Sequence, residues 1–527
     1  MSRSIIKKTV GIGSSTLLSR FFAYIREMFM IQFLGIGAVS DAFFIALRVP
    51  NSLRKIFAEG ALSSVLVPAL IHAERSDGLT GVNKLLSLSF VVIQSIVALL
   101  VGIICWYADA FVLFAAPQSS PEVLVTSALY LKILAPFILF LSSSAVLASA
   151  LQATHRFFLP AIAPAFLNCL YVLCLSACLY FSWSVPTFCW TMIFAAIINL
   201  ILHFMVCMAY HFHFSLPDQQ TWDGLKHVIL QLLPCLLSVG IGEINFWIDS
   251  RFASGLQVGT LSLLRYAYQF VNIPLGVIAT SLSIVLLPHF AKIGHSKKEL
   301  GLYLAEAIKF VTWMMLPITI IMICSSREIF QTMFFSDKFT AAHVVQAQWN
   351  MNAYLLGLTF FALEKILLNA FYSLRSSGIA TGVACVTIFM NYCMNGWLMG
   401  LYGGTGLALA TSITAAARII MFVLILAYYF QIDFHAEQLR KLLLRYLLQL
   451  AILGSLFVGS FILISKLIAA SLFSWTLHLG FIHFVCDTNF FLDSFGYWLW
   501  FGPLAGLFLL IIYGTRKFFG VSFSYLD

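Results

Sequence analysis

Charge is what this sequence has least of. Asp, Glu, Lys and Arg together make up 10% of its 527 residues, against about 25% in an ordinary soluble domain, which excludes a solvated surface over most of the chain. No Walker-type phosphate loop, HExxH or Cys/His metal spacing is present, so ATP drive and metal-assisted hydrolysis have no support. Long polar/apolar alternation, which a transmembrane barrel needs, is missing too. Cysteine is used without a framework. The eleven cysteines lie almost entirely in apolar stretches, and Cys169, Cys174 and Cys178 share one apolar helix as small buried hydrophobes. Cys486 falls in an expected external loop with no external partner, so no structural disulfide follows. A signal peptide is not expected: "MSRSIIKK" is basic, but the stretch after it contains Arg20 and Arg26 and lacks a small-residue cleavage site.

Apolar residues make up 61% of the chain. Runs of the roughly 20 residues that a spanning helix needs recur from end to end, about fourteen of them. Their approximate bounds are 9–34, 40–72, 83–107, 122–150, 159–181, 186–212, 224–253, 259–290, 299–324, 342–372, 378–400, 404–430, 443–470 and 495–514. With a cytoplasmic N-terminus, the inner connections hold Arg75, Arg156, Lys292, Lys297, Lys298, Arg440 and Lys441 among others, while the outer ones hold Lys338 and, near span ends, Arg251, Arg327 and Lys466. That bias puts both termini inside. The net charge of +9 therefore follows from topology and does not point to nucleic acid.

Two short echoes divide the chain. "SVLVP" at 64–68 resembles "IVLLP" at 284–288, an offset of 220, and "LQATHR" at 151–156 resembles "LNAFYSLR" at 368–375, an offset of 217. A duplicated six-span unit re-enters from the same side, giving parallel repeats of the kind transporters use. The expected fold is an all-α polytopic membrane protein: two pseudo-symmetric six-helix lobes, 1–215 and 216–432, around a central cationic cavity, with two added helices in 433–527. Breaks are expected at Pro50-Asn51 in span 2 and at Asn272-Ile273-Pro274 in span 8, because proline removes a backbone donor and irregular backbone is tolerated beside a watery cavity.

The first two spans concentrate charge: Arg20 and Arg26, then Asp41, Arg48, Arg54, Lys55 and Glu59. Each charge near the bilayer centre costs roughly 2.5–3.5 kcal/mol on insertion scales. Pairing Lys55 with Glu59 at i,i+4, and Asp41 and Glu27 with arginines, accounts for some of them. The excess stays positive, and a cationic cavity calls for an anionic cargo. Arginine's planar fork suits a diphosphate better than a carboxylate. In the second half Arg265, with Gln269 one turn later, can face the same cargo. Asp249, Asn391, Asn395 and Thr411 offer oxygen ligands of the type Na⁺ uses, and equally suit hydrogen bonding between helices. A cation-coupled drug exporter would favour an acidic cavity, and a membrane polymerase would carry catalytic residues in large external loops. The one sizeable external loop, about 471–494, has His478, His483, Asp487 and Asp493 without a recognisable constellation.

Longer motifs now carry a resemblance. "SRFFAYIRE" is similar to S-R-x-x-G-x-x-R-D, and "DAFFIALRVPNSLRKIFAEGALSSVLVP" follows D-A-F-x-x-A-F-R-x-P-N-x-L-R-R-x-F-A-E-G-A-F-x-x-x-x-x-P nearly throughout. "YAYQFVNIPLGVIATSLSIVLLP", "FYSLRSSGIAT" and "GLALATSI" extend the match into the second half. The chain thus resembles the MurJ (MviN) lipid II flippases of the multidrug/oligosaccharidyl-lipid/polysaccharide exporter superfamily. The resemblance implies a transporter of the bacterial inner membrane, acting in cell-wall biogenesis, that moves undecaprenyl-diphosphate-linked peptidoglycan precursor to the outer leaflet by alternating access. It implies cargo positions at Arg20, Arg26, Asp41 and Arg54, a gate at Glu59, cation positions at Asp249, Asn391, Asn395 and Thr411, and a lipid-tail groove in the last two helices. It leaves Na⁺ or the membrane potential as the driving force, with lipid II, membrane lipids and cell-wall or division proteins as partners. Cargo of another polyprenyl-diphosphate glycan is the alternative. Where the family has Tyr-Ala-Asp-Arg, this chain has Tyr266-Ala267-Tyr268-Gln269, and Arg265 is the candidate replacement for the missing arginine.

Overall fold

The computed structural model describes residues 21–57, 61–293, 296–374, 376–470, 475–479, 482–486 and 488–521. They form two compact units, within Leu18–Ser262 and within Leu263–Asp527. Ten of the described helices are long and apolar enough to cross a membrane, or eleven if Ala341–Leu356 and Leu358–Ser373, bent by 41°, make one span. Three expected spans fall outside that set. The helix 21–34 is short as described, Ala38–Phe57 carries Arg48, Arg54 and Lys55, and Gln219–Ala253 carries Lys226, Glu243, Asp249 and Arg251.

The first unit is built from the helix 21–34 and the helices Ala38–Phe57, Ala61–Trp106, Phe158–Tyr180, Val185–Ala209 and Gln219–Ala253, with Pro121–Leu134 and Phe137–Ala153 making one span. Ala61–Trp106 is two helices in succession. Asp77 and Gly78 leave helical geometry, Gly78 at φ 60° and ψ −146°, a left-handed conformation that glycine reaches without a Cβ clash. Prolines at the starts of Pro121–Leu134 and Val185–Ala209 remove N–H groups that would have no partner there. Asp218 starts Gln219–Ala253 with a reciprocal capping box to Thr221. Phe137–Ala153 packs on Ala61–Trp106 through buried Ser142, Ser143, Ala145, Ser149 and Ala150, small residues that let membrane helices approach closely.

Neither expected break interrupts its helix. Ala38–Phe57 runs through Pro50, whose neighbours Val49 and Ser52 are buried. One lost hydrogen bond is absorbed where packing holds both sides. After Pro274 the helix Thr260–Pro274 widens into a π-helix, Leu275–Thr280, and resumes as Ser281–Ile293. The π turn takes up the missing donor by shifting the ladder to i→i+5. A second π turn, Ile425–Tyr429, ends Gly404–Leu424 and has no sequence signal.

In the second unit, Ala436–Ala470 and Tyr497–Thr515 pack against Lys297–Cys324 through Trp313, Tyr446, Phe457, Phe501 and Phe508. Two buried polar side chains there reach across to neighbouring helices. The Tyr446 hydroxyl donates to the Trp313 carbonyl at 2.9 Å, and Gln449 Nε2 donates to the Ile512 carbonyl at 3.0 Å and to Thr515 Oγ1 at 2.9 Å. Between the last two spans, Trp475–Leu479 pairs antiparallel with Ile482–Cys486. This hairpin is the one two-stranded ladder among the described residues, and a departure from a purely helical reading.

Candidate functional site

Helices of the first unit gather the cationic residues. Arg26, on the helix 21–34, donates through Nη1 to Asn168 Oδ1 at 2.8 Å and pairs through Nη2 with the buried Glu27 at 2.5 Å. Asn168 and Tyr171 lie three residues apart on Phe158–Tyr180 and share one face. The Tyr171 hydroxyl is enclosed, with no hydrogen-bond partner, and both Arg26 and Arg54 act on it electrostatically. The charges of Arg26 and Arg54 thus both reach Tyr171, Arg54 standing in the last turn of Ala38–Phe57. Arg48, half-buried on the same helix, lies six residues earlier and so about 240° round from Arg54. It does not share that face. Arg20 and Glu59 lie outside the described residues.

Lys55 has a partner on another helix, while Glu59, the partner expected, lies outside the described residues. Lys55 Nζ stands 2.6 Å from Glu243 Oε1, and Ser52 Oγ donates to Glu243 Oε2 at 3.1 Å. Trp247 Nε1 reaches Ser52 Oγ at 3.3 Å, and the lysine head lies 4.8 Å from the centre of the Phe246 ring. The spacing explains the match. Ser52 and Lys55 are three apart on one helix, and Glu243, Phe246 and Trp247 are three and four apart on the other, so two faces meet along their length. A carboxylate between helices satisfies a serine and a lysine together, which an i,i+4 pair on one helix could not.

Asp41 is committed to the backbone. Its Oδ2 accepts from Gly259 N at 2.6 Å, and its Oδ1 accepts from Ser262 N at 3.0 Å and from the Ser262 hydroxyl at 2.5 Å. These donors sit at the start of Thr260–Pro274, where N–H groups have no partner within the helix. Asp41 therefore acts as a cap supplied from another helix, placed at the positive end of the helix dipole. Both carboxylate oxygens, expected to face cargo, are used by the protein in this structure.

In the second unit, Arg265 and Gln269 are half-buried one turn apart on Thr260–Pro274. Nearby, Asn272 Nδ2 donates to the Tyr268 carbonyl at 3.1 Å, and Tyr268 packs edge-on against Tyr354. Of the expected cation ligands, the structure brings together Asn391 and Asn395, with Asn395 Nδ2 donating to Asn391 Oδ1 at 3.0 Å. Thr411 Oγ1 donates to the Leu407 carbonyl of its own helix at 3.0 Å, and Asp249 belongs to the other unit. Amides bonded to each other and a hydroxyl bonded to its own helix are contacts of the kind that join membrane helices. Among the described residues no group of three or more His, Cys, Asp and Glu is placed to hold a metal.

Comparison with known proteins decides the family. The family model "Lipid II flippase MurJ" matches residues 30–479. The chain belongs to the MurJ lipid II flippase family. A probable lipid II flippase MurJ of Buchnera aphidicola subsp. Schizaphis graminum is 29% identical over 422 residues, covering 78% of this chain and 81% of that protein. The lipid II flippase MurJ of Burkholderia cenocepacia is 25% identical over 445 residues, covering 80% and 83%. Among solved structures, a MurJ in its inward closed conformation aligns with TM-score 0.75 at 21% identity, over 96% of this chain and 99% of that one. An inward-facing MATE multidrug transporter aligns with TM-score 0.63 at 12% identity, over 77% and 94%. These structures share the fold. As a MurJ member the chain is a multi-pass membrane transporter and not an enzyme.

For a MurJ member, several polar contacts here were not singled out in the sequence. Arg418 Nη1 pairs with Glu364 at 2.5 Å and its Nε donates to Thr387 Oγ1 at 2.9 Å, tying three helices of the second unit together. Glu243, Glu364 and Arg418 could have been found by the rule applied to span 2, that a charge in an apolar helix needs a partner. Asn168 and Tyr171 had no such signal. A single amide or phenol in a membrane helix is common, and its importance here comes from what stands opposite.

Proposed function

We propose that the chain carries lipid II, the undecaprenyl-diphosphate-linked peptidoglycan precursor, from the cytoplasmic to the outer leaflet of the bacterial inner membrane by alternating access. Membership of the MurJ family supports the cargo, and the observation that carries the reading is Arg26 and Arg54 acting together on the enclosed Tyr171. Arg26, part-balanced by Glu27, and Arg54 leave an excess of positive charge by sequence, and planar forks match phosphate oxygens in pairs. The diphosphate supplies the opposite charge. Bound cargo offsets repulsion between the arginines and so favours closure; release outward restores it. Arg20 and Arg265 are proposed as further cations for the same cargo. No bond is made or broken, and no step is assigned to Na⁺.

The proposed architecture is fourteen spans, both termini cytoplasmic, with duplicated six-helix halves at 1–215 and 216–432 and an added pair in 433–527. Contacts as well as sequence support the duplication. Ser149 Oγ lies 3.1 Å from Ser63 Oγ, and 220 residues later Asn369 Nδ2 lies 2.9 Å from Ser283 Oγ. Asn199 Nδ2 donates to Ser144 Oγ at 3.2 Å, and the residues 219 and 220 further on are Arg418 and Glu364, bonded at 2.5 Å. On the proposed duplication these are corresponding helix pairs joined by different chemistry. In the added pair, Leu447, Leu448, Leu456, Leu463, Leu507 and Leu510 are exposed, as a face toward lipid tails requires.

The test is replacement of a depleted flippase in a walled bacterium, with lipid II on the outer leaflet as the readout. Restored exposure by the wild-type chain is expected. Absence of rescue by a correctly inserted chain would count against lipid II as the cargo.

A further inference from the structure

The cationic cluster leaves two enclosed donors without acceptors. Tyr171 is 5% exposed, and its hydroxyl has no hydrogen-bond partner. Arg26 Nε is likewise enclosed without an acceptor, although Nη1 and Nη2 of the same guanidinium are bonded to Asn168 and Glu27. Asn168, which holds Arg26, is one turn before Tyr171 on the same face, so both donors belong to one neighbourhood. Packing does not explain the hydroxyl. The tyrosine ring rests on Phe137, with centroids 6.5 Å apart, and phenylalanine would make that contact without a stranded polar atom. An enclosed hydroxyl with no partner is destabilising, so its presence beside two guanidinium groups asks for a function.

Both donors lack the same thing, an acceptor, and the field of Arg26 and Arg54 favours one that is negatively charged. We infer that Tyr171 is a cargo-contacting residue whose hydroxyl donates to a phosphate oxygen of the diphosphate, alongside Arg26 Nε and the Arg54 guanidinium. Asn168 is then a positioning residue that holds Arg26 by Nη1 and leaves Nε for the anion. This rests on the reading of the cluster as the diphosphate site, and it adds a neutral donor to what is otherwise an all-arginine set. A neutral donor contributes direction, because a phenol hydroxyl bonds along one line where point charges do not.

The experiment compares the full-length wild type with Tyr171→Phe in lipid nanodiscs, using inorganic pyrophosphate as the probe and inorganic phosphate as control. Tyr171→Phe is expected to bind pyrophosphate about tenfold more weakly, the loss of one hydrogen bond to a charged group. Without probe its Tm is expected to match or exceed that of wild type, since a stranded hydroxyl is gone. Asn168→Ala, with Arg26 released, should also weaken binding and should lower the effect of the second change in the Asn168→Ala/Tyr171→Phe double variant. Unchanged pyrophosphate affinity in Tyr171→Phe, or a fall in probe-free Tm large enough to account for lost binding, would overturn the assignment. So would absence of pyrophosphate binding by wild type. Tyrosine-dependent pyrophosphate binding in a protein that fails to move lipid II would leave this assignment standing and sink the flippase reading; lipid II movement with no tyrosine dependence would do the reverse.

Discussion

Lys55 and Glu243, 188 residues apart in sequence, meet at 2.6 Å and join Ala38–Phe57 to Gln219–Ala253. The lysine side chain is 38% exposed and the glutamate 11%, so water screens one end of the pair and its worth is modest. The carboxylate is the critical member because Ser52 depends on it too. Glu243→Ala should therefore lower stability by about 1–2 kcal/mol, and Lys55→Ala by less. Thermal unfolding of both variants and of the double variant checks this. A double variant no worse than Glu243→Ala alone is the expected sign of coupling.

Asp41→Asn should damage the fold before it damages cargo binding. The carboxylate accepts three hydrogen bonds, from Gly259 N, Ser262 N and the Ser262 hydroxyl, whereas an amide turns an NH₂ toward donors on one side. A loss of about 1–2 kcal/mol is expected, the range for a lost cap or an unmet buried donor. In lipid II exposure assays the defect should track the fall in Tm and shrink at lower temperature. A transport defect with unchanged Tm would instead return Asp41 to the cargo.

Arg54→Ala is expected to behave in the opposite way. Its loss of outer-leaflet lipid II exposure should exceed anything a change in Tm accounts for, because the fork proposed to meet the diphosphate is gone. Arg54→Lys keeps the charge and loses the fork, and should retain intermediate activity, down by about tenfold. Equal activity of the lysine variant and wild type would show that charge alone suffices.

Which of these relationships was legible in the sequence depended on range. The long apolar runs gave the helices, because a membrane permits little else, and the charges of span 2 gave the cationic cluster. Partners distant in sequence were missed, because nothing in a linear pattern marks Glu243 as a partner of Lys55. Asp41 was read with the arginines on charge, while its use as a cap depends on where Gly259 and Ser262 arrive in space. The proline breaks failed for a related reason. Proline shows where a hydrogen bond is missing, and packing decides whether the helix stops, widens as after Pro274, or continues as through Pro50.

The Asp218 carboxyl, at the start of Gln219–Ala253, is held well below the usual carboxylate range. Lys84 and Thr221 donate to it, and the helix N-terminus adds a backbone N–H. Because the folded-state pKa is depressed, its contribution is complete above the unfolded carboxylate value and is lost as pH falls through the lower folded value. Asp218→Asn should thus lower Tm by a constant amount across pH 6–8. The gap between variant and wild type should close only in strong acid, as followed by thermal unfolding at stepped pH.

The matched contacts of the two halves give a prediction of a different kind. Under the proposed duplication, Asn199 with Ser144 in the first half corresponds to Arg418 with Glu364 in the second. Both pairs join the same kinds of helix, so the backbone there tolerates a neutral contact, and the ion pair is one solution among two. Breaking it one-sidedly is costly: Glu364→Ala leaves a guanidinium among apolar helices and should destabilise by about 3 kcal/mol. Replacing both members with the first-half pair, Glu364→Ser with Arg418→Asn, removes both charges together and should cost about 1 kcal/mol or less, since a well-satisfied neutral pair often equals a buried ion pair. Thermal unfolding of the two single variants and the double variant measures this. Lipid II exposure by the double variant then separates structure from transport: activity near wild type marks the ion pair as a scaffold contact, and loss of activity in a stable double variant marks Glu364 and Arg418 as part of the transport cycle.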